Sequence, residues 1–367
     1  DPKLSLDYGE SAREIAERLD YLPGKALALN NIGVGYYYLG DGKTALEYLK
    51  KSLELRRKSN NKEDIIISLN NIGIIYDSQN DFDQALKYYL ESLKIEEEMG
   101  NQIGEAGSLN NIGLIYKNHS NFNQALEYFL RSLHIYENLD DKNGIASNLT
   151  NIGIIYCDLT NYDKALEYLL QALDIYEKLD DEVGIAVTLG NIGSIYESLN
   201  NNEMALKYYL QALEIEEKFG EESRIAGSLN NIGIIYDNLG DYENAIEYYL
   251  RAMHLCEKMD DKNGIADACN NIGVAYQNMD KLKEALDYLF RSLDEYRELG
   301  RIKGIAAALN NVGTVYYKLK NYAKAEQYLL EGLALARQIE IRDLIIEMYQ
   351  RLADIKVAQQ DYQNALD

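Results

Sequence analysis

Residues 70–76 read NNIGIIY, residues 230–236 repeat them letter for letter, and near-copies stand at 110–116 (NNIGLIY) and 270–276 (NNIGVAY). Isoleucine and tyrosine are ordinary packing residues, but asparagine is a mediocre helix former and an awkward core residue. Its return at a fixed spacing has to be read over the whole chain. One asparagine column runs Asn31, Asn71, Asn111, Asn151, Asn191, Asn231, Asn271 and Asn311, a period of 40 residues without insertion. At the same period run glycines from Gly33 to Gly313, tyrosines from Tyr36 to Tyr316 and alanines from Ala45 to Ala325. Self-similarity of this kind marks a stack of supersecondary units rather than two or three ordinary domains.

Within one unit the apolar residues fall at helical steps. Ile65, Leu69, Ile72 and Tyr76 form one stripe, and Phe82, Ala85, Leu86, Tyr89, Leu90 and Leu93 form a second. The breaks QND at 79–81 and MGN at 99–101 carry turn and cap residues. The unit is therefore a hairpin of two antiparallel helices, which must stack on its neighbours to bury both stripes. Glycine inside a helix costs about 0.5–1 kcal/mol relative to alanine. Eight such glycines make sense where helices cross too closely for a side chain, so the glycine and alanine columns mark crossing points. The tyrosine column is expected to pack its rings between adjacent hairpins and to let each hydroxyl reach a polar edge.

The composition agrees with an all-α, core-forming chain. Of 367 residues 47% are hydrophobic and 26% charged, with only two prolines. No stretch approaches the roughly 18 consecutive apolar residues of a membrane span. A net charge of −23 argues against nucleic acid as a partner, because affinity for a polyanion comes mainly from Lys and Arg. Cys157, Cys256 and Cys269 give neither a disulfide framework nor zinc-ligand spacing. His119, His134 and His254 stand in different columns, with no catalytic or nucleotide-binding motif around them. No enzyme activity, cofactor or metal is expected. Both ends look cut: Tyr8 and Ala12 occupy the columns of Tyr48 and Ser52, while Tyr362, Ala365 and Leu366 open another copy. The expected organisation is one array, with a half repeat at 1–22, eight repeats over about 23–342 and a partial repeat at 343–367, cut from a longer protein.

The columns decide between repeat families. With glycine at the eighth motif position, tyrosine falls at the eleventh, alanine at the twentieth, residues such as Tyr89, Tyr209 or Tyr249 at the twenty-fourth, and small residues such as Ser92, Ala172 or Ala212 at the twenty-seventh. This closely resembles the tetratricopeptide repeat (TPR) over essentially the whole chain. It departs from the commonest form at position four, where Leu29, Leu69 or Leu109 replaces Trp, in lacking the late Pro, and in its longer unit. The longer form resembles the repeats of kinesin light chains, of the spindle-orientation adaptor that binds Inscuteable, and of bacterial TPR arrays joined to signalling enzymes. The resemblance implies an α-solenoid, a right-handed superhelix of antiparallel helix pairs whose first helices line a concave groove.

The resemblance also implies that positions two, five, six, nine, twelve and thirteen lie near that groove. Position five is Asn70, Asn110, Asn230 and Asn270, besides Asn30 and Asn310, broken by Thr150 and Gly190. Position six is unbroken until Arg351, and Ala353 takes the glycine column in the same last copy. Side chains one residue apart on a helix point about 100° apart, so one column is expected to face the groove and the other the neighbouring repeat. Asparagine offers donors and an acceptor that suit a peptide backbone. In related arrays position six contacts bound peptide, a role carried here to Asn71, Asn111, Asn151, Asn191, Asn231, Asn271 and Asn311. A structural hydrogen bond between adjacent repeats is the competing role. Position nine is mainly apolar, for example Ile74 and Ile234, and positions twelve and thirteen add Asp77, Asp158, Glu197 and Asp237 against Lys117 and Lys318, so the middle of the groove is expected to be acidic.

These residues lead to a protein- or peptide-binding scaffold, an adaptor or sensor module whose ligand is an extended or helical segment, apolar with some basic residues. Structural self-association and reception of a small signalling peptide by a bacterial regulator are the alternatives. The expected compartment is the cytoplasm, or the periplasm if the array is fused to a membrane sensor.

Overall fold

The computed structural model describes residues 2–359, and Tyr362, Ala365 and Leu366 lie outside them. The chain divides into two compact units, the first ending at Asp180 and the second beginning at Asp181. The first contains α1 (Pro2–Arg18), α2 (Leu22–Tyr38), α3 (Gly42–Ser59), α4 (Lys62–Ser78), α5 (Phe82–Met99), α6 (Gln102–Asn118), α7 (Phe122–Asn138), α8 (Lys142–Asp158) and α9 (Tyr162–Lys178). The second contains α10 (Glu182–Ser198), α11 (Asn202–Phe219), α12 (Glu222–Asn238), α13 (Tyr242–Lys258), α14 (Lys262–Asn278), α15 (Leu282–Glu298), α16 (Ile302–Lys318), α17 (Tyr322–Gln338) and α18 (Arg342–Ala358). Each unit is an all-α solenoid in which consecutive helices pack together, and first helices of successive hairpins touch, as α2 with α4 and α12 with α14 do.

A left-handed residue follows each of α1 to α17 where the sequence breaks. Asn80 stands at φ 58° and Gly100 at φ 67°, in the left-handed region that reverses the chain after a helix. The next residue then caps the following helix: Asp81 accepts from the Gln84 N–H at 3.3 Å and Asn101 from the Gly104 N–H at 3.3 Å, each satisfying one of the free first-turn donors.

The core lies between the two helices of each hairpin and against the next hairpin. Leu69, Ile72 and Ala85 are fully buried. A Cβ on Gly73 would stand 2.9 Å from the Tyr89 ring, and one on Gly153 would stand 2.7 Å from Leu169 Cγ and 3.3 Å from the Ala165 carbonyl. The glycine column is thus the crossing point inside each hairpin, with position eight against position twenty-four.

The tyrosine column does more than expected. Each ring stacks within its own hairpin on a second tyrosine twelve residues later: Tyr76 on Tyr88 at 5.6 Å between centroids, Tyr156 on Tyr168 at 5.5 Å, Tyr236 on Tyr248 at 5.4 Å. This second column, at position twenty-three, runs unbroken from Tyr48 to Tyr328. The stacked pair packs on a core shared with the preceding hairpin, as Tyr76 and Tyr88 do on the cluster that joins Ala45, Leu49 and Leu53 to Ile65, Leu69, Ile72 and Ile75. The Tyr76 hydroxyl accepts from Lys50 Nζ at 2.7 Å, which is the polar edge expected of it.

Candidate functional site

Adjacent first helices bring the two asparagine columns together. Asn71 Nδ2 donates to Asn30 Oδ1 at 3.2 Å, Asn151 to Asn110 at 3.0 Å, Asn271 to Asn230 at 3.0 Å and Asn311 to Asn270 at 2.9 Å. This corrects the expectation that the columns have separate roles. Neighbours on one helix do diverge, but the stacking sets position six of one repeat beside position five of the repeat before it. The columns are two halves of one brace.

The brace is absent at defined places. Asn231 has no such acceptor, because the preceding repeat carries Gly190, where an added Cβ would meet open space. Thr150 turns its hydroxyl back to the Ala146 carbonyl at 3.0 Å. Asn111 makes no such bond among the described residues, and the Oδ1 of Asn70, which would accept it, is buried without a partner. Asn191 makes no side-chain hydrogen bond among the described residues. All seven position-six asparagines from Asn71 to Asn311 are half-buried.

The acidic residues differ in exposure. Asp158 is exposed, whereas Asp77, Glu197 and Asp237 are half-buried and share a different logic. Their three repeats are those with tyrosine at position twenty-four, namely Tyr89, Tyr209 and Tyr249; repeats with Leu or Phe there carry Tyr, Lys, Cys or Gln at position twelve. Glu197 accepts from the Tyr209 hydroxyl at 2.8 Å. Burial pushes the Asp77 and Asp237 carboxyls above the usual range, and burial followed by the nearby Asp237 and Glu197 charges pushes Tyr249 up. These acids answer to buried phenols first. The pairing was visible in the sequence as two columns changing together, and it was missed because each was read alone.

Around the braces, Ile74 and Ser194 are exposed and Ile234 is half-buried, giving a mixed surface beside the amides. Arg351 lies with its guanidinium 5.9 Å from the Tyr317 ring centroid, a cation–π contact. Among the described residues no group of three or more His, Cys, Asp or Glu forms a metal site, and no helix is long and apolar enough to cross a membrane.

Among solved structures, the chain superposes on a signal-transduction ATPase with a tetratricopeptide-repeat sensor from Pyrococcus horikoshii at a TM-score of 0.67 and 19% identity, over 87% of this chain and 50% of that one. The chain therefore spans half of that protein. It also superposes on the apo form of the quorum sensor NprR from B. thuringiensis (TM-score 0.63, 17% identity, 91% and 98% covered). A third match is the Rap conjugation gene regulator of plasmid pLS20 in complex with the Phr* peptide (0.56, 16%, 77% of each chain). At such identities the likeness is one of fold. No curated protein sequence matches the chain. The family model described as tetratricopeptide repeat matches residues 1–58, 25–98, 64–138, 104–178, 144–218, 224–298 and 304–367. With the braces, the hairpin crossings and these matches together, the chain belongs to the tetratricopeptide-repeat family.

Proposed function

We propose that the chain is a peptide-binding scaffold whose first helices present asparagine amides to the backbone of a partner segment, as an adaptor or sensor module. The braced pair carries this reading. The brace uses one N–H of position six and the carbonyl of position five. It leaves an NH₂ on one residue and a carbonyl oxygen on the other, a donor and an acceptor side by side. A peptide bond needs that set, and amides already held by a brace lose less freedom on binding. Each net hydrogen bond contributes about 0.5–1.5 kcal/mol, so four together with modest apolar contact reach roughly micromolar affinity.

Exposed Ile74 and half-buried Ile234 supply apolar contact, and exposed Asp158 on a chain of net charge −23 favours a ligand with some Lys or Arg. A small signalling peptide is the second reading, supported by the peptide named with the pLS20 regulator.

The test uses a peptide selected from a random display library on the unmodified protein. Replacing Asn151, Asn191, Asn231 and Asn271 together by Ala should weaken capture at least tenfold while the variant remains helical at the assay temperature. Unchanged affinity in a folded variant would refute the reading. Should the quadruple variant unfold, N191A/N231A, which removes no brace among the described residues, carries the same test.

A further inference from the structure

A separate set of contacts links the second helices of successive hairpins to each other and to the first helix between them. In the second unit Glu217 of α11 pairs with Arg251 of α13 at 2.8 Å, and Glu222, at the start of α12, pairs with Lys258 at the end of α13. One repeat on, the same columns give Glu257 with Arg291 at 2.6 Å and Lys262 with Glu298 at 2.5 Å. In the first unit they give Arg57 with Glu91 at 2.5 Å, Lys62 with Glu98 at 2.9 Å, and Glu97 with Arg131 at 3.6 Å. Signs exchange between interfaces, yet each of these pairs stays complementary.

A single latch is missing where the second pair of columns reads Gln102 with Asn138 or Ile302 with Gln338, but the interface of α7, α8 and α9 lacks both. Glu137 stands in the column of Glu217, but its counterpart is Gln171; Lys142 stands in the column of Glu222, and its counterpart, Lys178, is also a cation. Neither latch can form. Lys142 turns to Asp140 at 2.6 Å and Lys178 to Asp174 at 2.5 Å, both on the exposed surface, and Glu137 is exposed. Here a cleft of about 540 Å³ opens, lined by Glu137, Lys142, Ile145, Ile175, Lys178 and Leu179. The equivalent cleft of the second unit, over Ile225 and Leu255, is about 310 Å³ and has Arg251 in its lining. The protein itself thus shows a group that suits such a cleft, an arginine in the lining with its guanidinium on the glutamate.

We propose that the cleft over Ile145, Ile175 and Leu179 is a docking site for a segment of another protein, one that brings a basic side chain to Glu137 and a carboxylate to Lys142 and Lys178 with apolar residues between. Charge complementarity selects this occupant, because it restores both missing latches. Arg251 and Lys258 are seven residues apart, roughly 10 Å along a helix, and this sets the distance between the two charges of the segment. Exposed ion pairs add little to stability, so the stack tolerates their loss. The site shares no residue with the asparagine columns and does not rest on the peptide-groove reading.

The test is a titration of the protein, labelled with ¹³C at isoleucine methyls, with an acetylated and amidated octapeptide that begins with arginine, ends with glutamate and carries leucine and alanine between. The Ile145 and Ile175 methyls should shift saturably while Ile225 stays still. Binding should weaken at least fivefold for the same peptide with glutamine at both ends, and at least fivefold for E137Q. The double variant Q171R/K142E, which rebuilds both latches, should abolish it. Equal shifts with the glutamine peptide, equal shifts at Ile225, or binding retained by the double variant would each overturn the proposal. Shifts at Ile145 and Ile175 that grow with protein concentration alone and vanish in Q171R/K142E would make a second copy the occupant and overturn it too.

Discussion

An asparagine at position six is at once a strut and a ligand group, and the two uses fall on different atoms. Asn151 gives its N–H to Asn110, so Asn151→Ala removes a half-buried bond and strands an acceptor; it should cost about 1 kcal/mol in urea unfolding. Asn231 has only Gly190 opposite it, and Asn231→Ala should stay within about 0.5 kcal/mol of the unmodified protein. Equal losses at both positions would show that the braces are not what distinguishes them. The acids beside the phenols make a pH prediction. Burial raises the folded-state pKa of Asp237, so its contribution is fully present below the unfolded value of about 4 and is lost as pH rises through the higher folded value. Asp237→Asn should therefore raise stability at neutral pH and flatten the pH dependence above about 4, measured as denaturant midpoints across pH 3–8. A variant less stable than the parent at pH 7 would contradict it.

At the scale of the element, the turn between helices is set by a left-handed residue. Thr160 follows α8 at φ 56°, a left-handed conformation that a β-branched residue adopts at a cost of roughly 1–2 kcal/mol. Its column mates include Asn80 and Asn200, and Thr160→Asn should raise the unfolding free energy by about 1 kcal/mol. A thermal melt that does not move would mean the turn strain is relieved elsewhere. Helix boundaries, caps and glycine crossings were legible in the sequence because they depend on residues within one 40-residue unit. The hydrogen bond between repeats was legible as one of the two roles of position six, but its acceptor at position five was not, since the partners stand 41 residues apart and one helix viewed alone shows two diverging side chains. The stacked tyrosine of position twenty-three was equally regular, yet beside Tyr89 and Tyr209 in the next column it was read past.

At the scale of the whole molecule, a solenoid is stabilised by neighbours only, so damage stays local. Gly153→Val would drive its side chain into Leu169 and the Ala165 carbonyl, at about 2 kcal/mol. Amide exchange should speed up in α8, α9 and the adjoining hairpin while α2 and α3 keep their protection; uniform acceleration would mean that the first unit unfolds as one. Function at this scale depends on how many amides a single ligand engages, and a backbone scan of that ligand addresses it most directly. For a peptide selected on the unmodified protein, N-methylation of successive peptide bonds, read by calorimetry, should weaken binding about tenfold per engaged bond (about 1.4 kcal/mol) at several positions where side-chain replacement by alanine changes little. Full affinity after N-methylation at every position would contradict a backbone-reading array of asparagines.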